Sequence, residues 1–290
     1  MTEYLAPPPG PEPPSALPRD PEHPLFAGRT AVVTGGARGI GAGIVRALAY
    51  HGARVVLCDT EGDAARATAE TALGDGSPEV TVVAGDIRAR TTVDALVAAA
   101  GEPDFLVNNV GDFRPSGPFL TSEERDWQDM YELNLLHILR VTRAFLPAMV
   151  ERGHGGIVNL SSVEGLRGIP GSAVYGAFKA AAIAFTASLA AEVGQYGIRV
   201  NGIAPDLTDT PQTPMWASTA AKYGDHVGKW VPVGRFGHPA DHGDAAVFLL
   251  SEQSRFMTGT TLNLDGGTMA APGWLRRDEH RYTNMPRGLR

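Results

Sequence analysis

Cysteine occurs once, at Cys58, in a chain of 290 residues, so no disulfide can form within it and a reducing compartment fits best. Long hydrophobic runs are missing: no apolar run approaches the ~20 residues of a membrane span. The first residues lack the basic and apolar regions of a secretory signal. A basic excess is missing too. The formal net charge is −7, which argues against non-specific binding to nucleic acid or to an anionic membrane. Metal-ligand clusters are also scarce. His238 and His242 are spaced i,i+4, but no third ligand or nearby base accompanies them, and Pro239 marks a helix start there. The expectation is a soluble cytoplasmic protein with no metal, nucleic-acid or membrane partner.

What is present divides into three parts. Residues 1–27 hold nine prolines, which remove backbone donors and favour extended chain, so composition reads them as a tail with little to bury. Residues 271–290 read as a second tail, with Arg276, Arg277, Arg281, Arg287 and Arg290 around Trp274 and Tyr282. Between them, residues 28–270 have no linker and suffice for one large domain.

Strand-like and helix-like segments alternate through that domain. Apolar runs at 30–34, 54–58, 80–83, 105–107, 156–160, 198–200 and 261–264 read as seven strands. Helical spacing marks 40–51, 62–73, 91–100, 123–150, 172–195 and 240–251, with Thr121 and Glu124 at capping-box spacing before the fourth. Nearly continuous apolar strands alternating with helices predict a parallel seven-stranded sheet covered on both faces, a doubly wound Rossmann-type domain. Ligands then bind outside the carboxyl ends of the strands, where all the residues singled out below fall.

Gly35, Gly39 and Gly41 follow the first strand and open the first helix, in Thr34-Gly-Gly-Ala-Arg-Gly-Ile-Gly41. Without Cβ atoms the backbone can turn sharply and approach a pyrophosphate at the helix N-terminus. Asp59 closes the second strand at the position of a ribose-binding carboxylate. Its oxygens can accept from both adenosine ribose hydroxyls, whereas a 2′-phosphate would meet like charge. At about 5 Å and an effective dielectric near 20, such a pair is worth roughly 3 kcal/mol. Arg38, inside the glycine loop, pulls the other way, since it could pair with that phosphate. Only the carboxylate chelates the diol, so NAD is favoured over NADP. Asp86, ending the third strand, is a candidate for the adenine amino group or an ordinary turn aspartate. Asn108-Asn-Val-Gly111 ends the fourth strand, where small residues admit backbone near a cofactor.

Tyr175 and Lys179 are four residues apart on a predicted helix and share one face. An ammonium beside a phenol favours the phenolate, and a phenol with a lowered pKa can move protons near neutral pH. Ser162, at the end of Asn159-Leu-Ser-Ser162, can donate to a substrate oxygen; Ser161 competes but faces differently. Asn134, taken alone, reads as a helix-surface amide.

Taken together, the glycine loop, Asp59, Asp86, Asn108–Gly111, Asn134, Ser162, Tyr175/Lys179, Asn201 and Pro205 resemble the short-chain dehydrogenase/reductase family over roughly residues 28–267. The resemblance implies a catalytic tetrad of Asn134, Ser162, Tyr175 and Lys179. It implies cofactor contacts at Gly35, Arg38, Gly39, Ile40, Gly41, Asp59, Asp86, Ile87, Asn109, Gly111, Tyr175, Lys179, Pro205, Thr208 and Thr210. It further implies that Lys179 binds the cofactor ribose, that Asn134 holds a water linking Lys179 to solvent, and that the two longest helices form the interface of a homotetramer or homodimer. Three departures stand out: Val110 for the usual alanine, Phe178 for a common serine, and Asp206 for the glycine that follows Pro205.

The implied activity is hydride transfer between NAD and a secondary alcohol or its ketone. Met215, Trp216, Tyr223 and Trp230 in the variable lid, with Phe113, Val163, Leu166 and Ile169, favour a bulky alicyclic or aromatic substrate, or else merely pack the lid. Glu164 either selects a polar substituent or faces water. Ser162, Glu164, Tyr175 and Trp216 are the substrate candidates. An NADPH-dependent reductase of 3-ketoacyl thioesters or other ketones is the alternative, supported by Arg38. A catalytically idle nucleotide-binding protein would not need the tetrad.

Overall fold

The computed structural model describes residues 15–215, 227–273, 275–276 and 282–283. Seven parallel strands form the expected sheet: β1 (Thr30–Thr34), β2 (Arg54–Asp59), β3 (Val80–Ala84), β4 (Phe105–Asn108), β5 (Gly155–Leu160), β6 (Ile198–Pro205) and β7 (Thr261–Leu264). They lie in the order β3-β2-β1-β4-β5-β6-β7, so the chain reverses direction across the sheet between β1 and β4. That switch point opens a crevice at the carboxyl edge.

Alternation along each strand divides the core in two. Val33, Leu57, Phe105, Val107 and Val158 face the layer of α1 (Gly39–Tyr50), α2 (Gly62–Asp75) and α7 (Pro239–Leu250). Val32, Val56, Leu106 and Ile157 face α3 (Arg90–Ala100), α5 (His137–Arg152) and α6 (Ala173–Val193). The central strands β1, β2, β4 and β5 are thus apolar on both sides, the pattern of a buried parallel sheet, whereas edge strand β7 turns Thr261 and Asn263 away from the core. Between α1 and α7 the backbones nearly touch: a Cβ on Gly43 would fall 2.3 Å from the Pro239 carbonyl oxygen.

The long fourth helix is interrupted. It comprises α4 (Glu124–Tyr131), a π turn over Glu132–Leu136, and α5. The capping box at its start does not form. Glu123 takes the N-cap position, and Thr121 ends a preceding 3-10 turn whose Pro118 carbonyl receives its hydroxyl. A capping box forms instead before α7, where Ala240 donates to His238 Nδ1 and the His238 N–H donates to Asp241.

Two helical segments, Glu124–Arg152 and Ala173–Tyr196, are long and apolar enough by length and composition to cross a membrane. Both are the helices expected at 123–150 and 172–195, and scattered polar residues keep either from being an unbroken apolar run. Both pack on the sheet and carry candidate site residues.

The N-terminal reading also needs correction. Residues 15–27 are docked rather than tail-like. Phe26 is fully buried in the core, 5.0 Å from the Phe105 ring in edge-to-face contact. The buried Ser15 hydroxyl meets both Asp244 and His51, and Arg19 donates to the Asp75 carbonyl while lying over the Tyr50 ring. Proline content hid one aromatic anchor and two polar staples. At the other end, β8 (Leu275–Arg276) and β9 (Tyr282–Thr283) form a short antiparallel pair.

Truncating a fully buried aromatic typically costs about 3–5 kcal/mol. Denaturant unfolding of Phe26→Ala should show a loss of that size. A loss below about 1 kcal/mol would return this segment to the status of a tail.

Candidate active site

A cleft of about 860 Å³ opens at the switch point, and every cofactor position expected above, from Gly35 to Thr210, lines it. Gly35 and Gly39 hold positive φ values of 68° and 52°. A Cβ on Gly41 would fall 1.9 Å from the Gly35 carbonyl oxygen, so this turn admits no side chain there. The α1 N-terminus behind it has Arg38 at the N-cap, with no side-chain cap and no acid in the first turn. Its first N–H groups stay available to an anion. Thr210 closes the loop from above, 3.2 Å from where a Gly39 Cβ would sit.

Asp59 stands at the end of β2. Its Oδ2 accepts from the Ala37 N–H and its Oδ1 from the Glu61 N–H, each at 3.0 Å. Each oxygen keeps a free lone pair. Arg38 is held by Glu61, Nε to Oε2 at 2.9 Å. Glu61 gave no motif signal, yet it places a second carboxylate beside the expected ribose site.

Two further pairs escaped the sequence reading although their spacing repeats. Asp86 and Arg88 follow β3, and Asp112 and Arg114 follow β4, each pair meeting at 2.6 Å. The Arg88 guanidinium holds the Asp86 carboxyl below its ordinary range. Burial pushes Asp112 up, but hydrogen bonds from Arg114 outweigh it and leave that carboxyl low as well.

Ser162, Tyr175 and Lys179 meet on the opposite wall. Ser162 ends the β5 segment and accepts from the Glu164 N–H at 3.2 Å; Ser161 instead donates to the Ile203 carbonyl. The Ser162 and Tyr175 hydroxyls are hydrogen-bonded. Lys179 is buried, donates to the Leu160 carbonyl at 3.1 Å, and lies 5.5 Å from the centre of the Tyr175 ring. Burial lowers the ammonium to about 8.

The tyrosine differs from expectation. Burial, then the nearby Glu164 charge, raises its phenol above the ordinary range, and the Ser162 hydrogen bond only partly offsets this. Sharing a helix face was not enough to lower it, because the same packing that brings Lys179 close also removes water from the phenol.

Asn134 lies behind the cleft in the π turn and is fully buried, not a surface amide. Its Oδ1 accepts from the Asp112 N–H, and its Nδ2 donates to the Asp112 and Met130 carbonyls. It therefore clamps the loop after β4. A Cβ on Gly111 would fall 2.8 Å from Lys179 Nζ and 2.9 Å from Asn134 Oδ1, so glycine keeps the space between them clear.

The three departures are accommodated. Val110 packs partly buried against the second core cluster, and Phe178 lies 5.7 Å from the Tyr131 ring. Asp206 pairs with Arg167 at 2.8 Å and accepts from the Thr268 hydroxyl. Of the apolar lid candidates, Phe113 and Met215 line the cleft. Val163 is buried in the core, while Leu166 and Trp230 are exposed outside the cleft lining. Trp216 and Tyr223 lie outside the described residues.

Two buried histidines support the cleft from behind, and neither had a sequence signal for that role. Burial lowers His137 to about 3 and His242 to about 4. His242 Nε2 meets the Thr208 hydroxyl at 2.8 Å, and that hydroxyl donates to the Asp206 carbonyl. Thr208 must then accept from His242, which puts its proton on Nε2.

Comparison with known proteins agrees with this geometry. Residues 35–269 match the family described as enoyl-(acyl carrier protein) reductase. The chain is 38% identical over 247 residues to the 3-oxoacyl-[acyl-carrier-protein] reductase FabG of Chlamydia muridarum, covering 84% of this chain and 98% of that protein. It is also 38% identical over 256 residues to the oxidoreductase UcpA of Salmonella typhimurium, covering 84% and 95%. The crystal structure of a 3-oxoacyl-[acyl-carrier protein] reductase from Brucella melitensis superposes with a TM-score of 0.78 at 33% identity, covering 87% of this chain and 97% of that one.

Because both histidines have folded pKa values below the ordinary 6.5, their stability contribution is present above that value and is lost as pH falls towards about 4. Between about pH 7 and about pH 5 each should cost about 2 kcal/mol. Urea unfolding should show His242→Gln, which can keep the Thr208 contact, losing about half of that pH dependence. An unchanged slope would count against this assignment.

Proposed function

Because the chain belongs to the short-chain dehydrogenase/reductase family, which binds a nicotinamide cofactor and acts on alcohols and ketones, we propose that it interconverts a secondary alcohol and its ketone with NAD. The observation that carries this reading is the convergence of Ser162, Tyr175 and Lys179 on a glycine-lined cleft at the switch point.

The residues present fit the cofactor. The uncapped α1 N-terminus and the glycine turn would hold the pyrophosphate, Asp59 the adenosine ribose, and Lys179 the nicotinamide ribose. When bound, the cofactor supplies the site that accepts or gives hydride. The chain's own groups manage the proton and the oxygen. Ser162 donates a hydrogen bond to the substrate oxygen and holds it through the change from alcohol to ketone. Tyr175 takes the hydroxyl proton in oxidation and returns it in reduction. Lys179 has three donors, one of them committed to Leu160, so two remain for a ribose hydroxyl and a water. Asn134 borders the same space and fixes the Asp112 backbone beneath it. Burial holds the phenol above its ordinary range, so Lys179 alone does not ready it to take a proton, and the positive ring of the oxidised cofactor would favour the phenolate further.

For cofactor choice, Asp59 and Glu61 put two carboxylates near the adenosine ribose, and Glu61 occupies Arg38, the group that would favour a 2′-phosphate. Phe113 and Met215 on the cleft wall support a bulky substrate. The names of the FabG relatives support a second reading, an NADPH-dependent 3-ketoacyl-thioester reductase. We also read the exposed alanine face of α6, formed by Ala173, Ala177, Ala180, Ala184 and Ala187, as a subunit contact in a homodimer or homotetramer.

A panel of cyclic and secondary alcohols with NAD+ and NADP+, followed by reduced-nicotinamide absorbance, tests the first reading against the second. NAD+ should give the higher kcat/KM, and Asp59→Ala should reduce the NAD+ to NADP+ ratio at least about tenfold, part of the roughly 3 kcal/mol expected of one charge pair. A ratio untouched by the substitution would defeat the assignment of Asp59, and a preference for NADP+ with 3-ketoacyl thioesters would favour the second reading.

A further inference from the structure

The carboxylates at the substrate end of the cleft are not treated alike. Asp112 is answered by Arg114 at 2.6 Å, and Asp206 by Arg167 at 2.8 Å and by the Thr268 hydroxyl. Glu164 lines the same cleft on the 3-10 turn Val163–Gly165, directly after Ser162. Among the described residues no ion pair reaches it. The Ser172 hydroxyl bonds its carboxyl, but Oε2 is buried and has no hydrogen-bond partner.

An ionised carboxyl has only acceptor sites, so a partner for Oε2 must be a donor. A carboxylate or phosphate on the substrate would meet repulsion there, and the two arginines at this end are already paired. A plain ketone would leave the oxygen unmatched. A neutral hydroxyl meets the need. Its position follows from the turn: Glu164 is two residues after Ser162, which is to hold the reacting oxygen, and its backbone N–H donates to the Ser162 hydroxyl at 3.2 Å. The two functional groups therefore act on neighbouring parts of one small molecule. Oε2 is covered in this arrangement, so a ligand hydroxyl meets it only once the Glu164 side chain turns towards the cleft that the residue lines.

We propose that Glu164 is a substrate-specificity residue that accepts a hydrogen bond from a hydroxyl on the carbon adjacent to the reacting one, making the substrates neutral vicinal diols and their hydroxy ketones. This rests on the alcohol–ketone reading of the site and narrows it to one substrate class. Burial raises the Glu164 carboxyl, as expected for an acid that lacks its donor, with the Ser172 hydrogen bond opposing. The influence of its charge on Tyr175 places it within electrostatic reach of the reacting centre.

The test compares trans-1,2-cyclohexanediol with cyclohexanol as substrates for NAD+ reduction by the wild-type enzyme, Glu164→Leu and Glu164→Gln. The wild type should favour the diol at least about tenfold in kcat/KM, a difference of about 1.4 kcal/mol. Glu164→Leu should bring the diol-to-monoalcohol ratio near one. Glu164→Gln, which keeps the shape and one acceptor oxygen, should give an intermediate ratio and guards against a folding defect in the leucine variant. Turnover of both alcohols with no diol preference in the wild type, or an unchanged preference in both variants, would overturn the inference alone. Turnover of no alcohol across the wider panel would overturn the functional reading and this inference with it.

Discussion

Lys179 is a buried ammonium whose one hydrogen-bond acceptor among the described residues is the carbonyl of Leu160. A buried charge left without partners is costly, so whatever surrounds it must either answer it or leave room for something that does. The Leu160 contact ties α6 to the end of β5, the strand that delivers Ser162. That tether sets the phenol of Tyr175 beside the serine hydroxyl, since both α6 residues ride on one helix face. Gly111 leaves the far side of the ammonium clear, and neutral His137 adds no opposing charge behind it. Burial has an opposite effect on each partner, weakening the lysine as a cation while making the phenol harder to ionise.

The parallel sheet explains why these groups converge at all. Strand ends at β1, β2, β3, β4, β5 and β6 each release a loop along one edge, and the reversal between β1 and β4 separates the loops into a crevice. Those loops are rich in acids, and the structure neutralises most of them locally. Asp86 and Asp112 are each clamped by the arginine two residues later, Asp206 by Arg167, and Arg38 by Glu61. Asp59 is satisfied mainly by backbone N–H groups and keeps acceptor capacity. In the proposed account, the acids that remain available, Asp59 and Glu164, are those that meet ligand hydroxyls.

Much of this was legible in the sequence because it is governed by local rules. Apolar strands such as Ala31-Val-Val and Val55-Val-Leu announce a sheet buried on both faces, and the glycine loop announces a phosphate-sized turn. The failures have a common physical origin in contacts between segments far apart in sequence. Phe26 reads as part of a proline-rich tail until Phe105 is found beside it. Thr121 has the spacing of a cap, but its hydroxyl finds the Pro118 carbonyl first. Asn134 reads as a surface amide because helical spacing cannot reveal that the Asp112 backbone will fold over it. The sign of the Tyr175 shift was misjudged for the same reason: the i,i+4 rule supplies a neighbouring cation but says nothing of how much water the fold removes. Glu61, Arg88 and Arg114 carry no motif and acquire meaning only where the strand ends converge.

The account's central claim is that the Tyr175 hydroxyl carries the proton, and its removal tests this most directly. Tyr175→Phe keeps the ring and deletes only the oxygen. With any alcohol that the wild type oxidises, kcat should fall by at least about a hundredfold, the lower end of what a positioned acid or base contributes, while the NAD+ dissociation constant measured by calorimetry stays close to that of the wild type. Retention of most of kcat with the phenyl ring in place would contradict it.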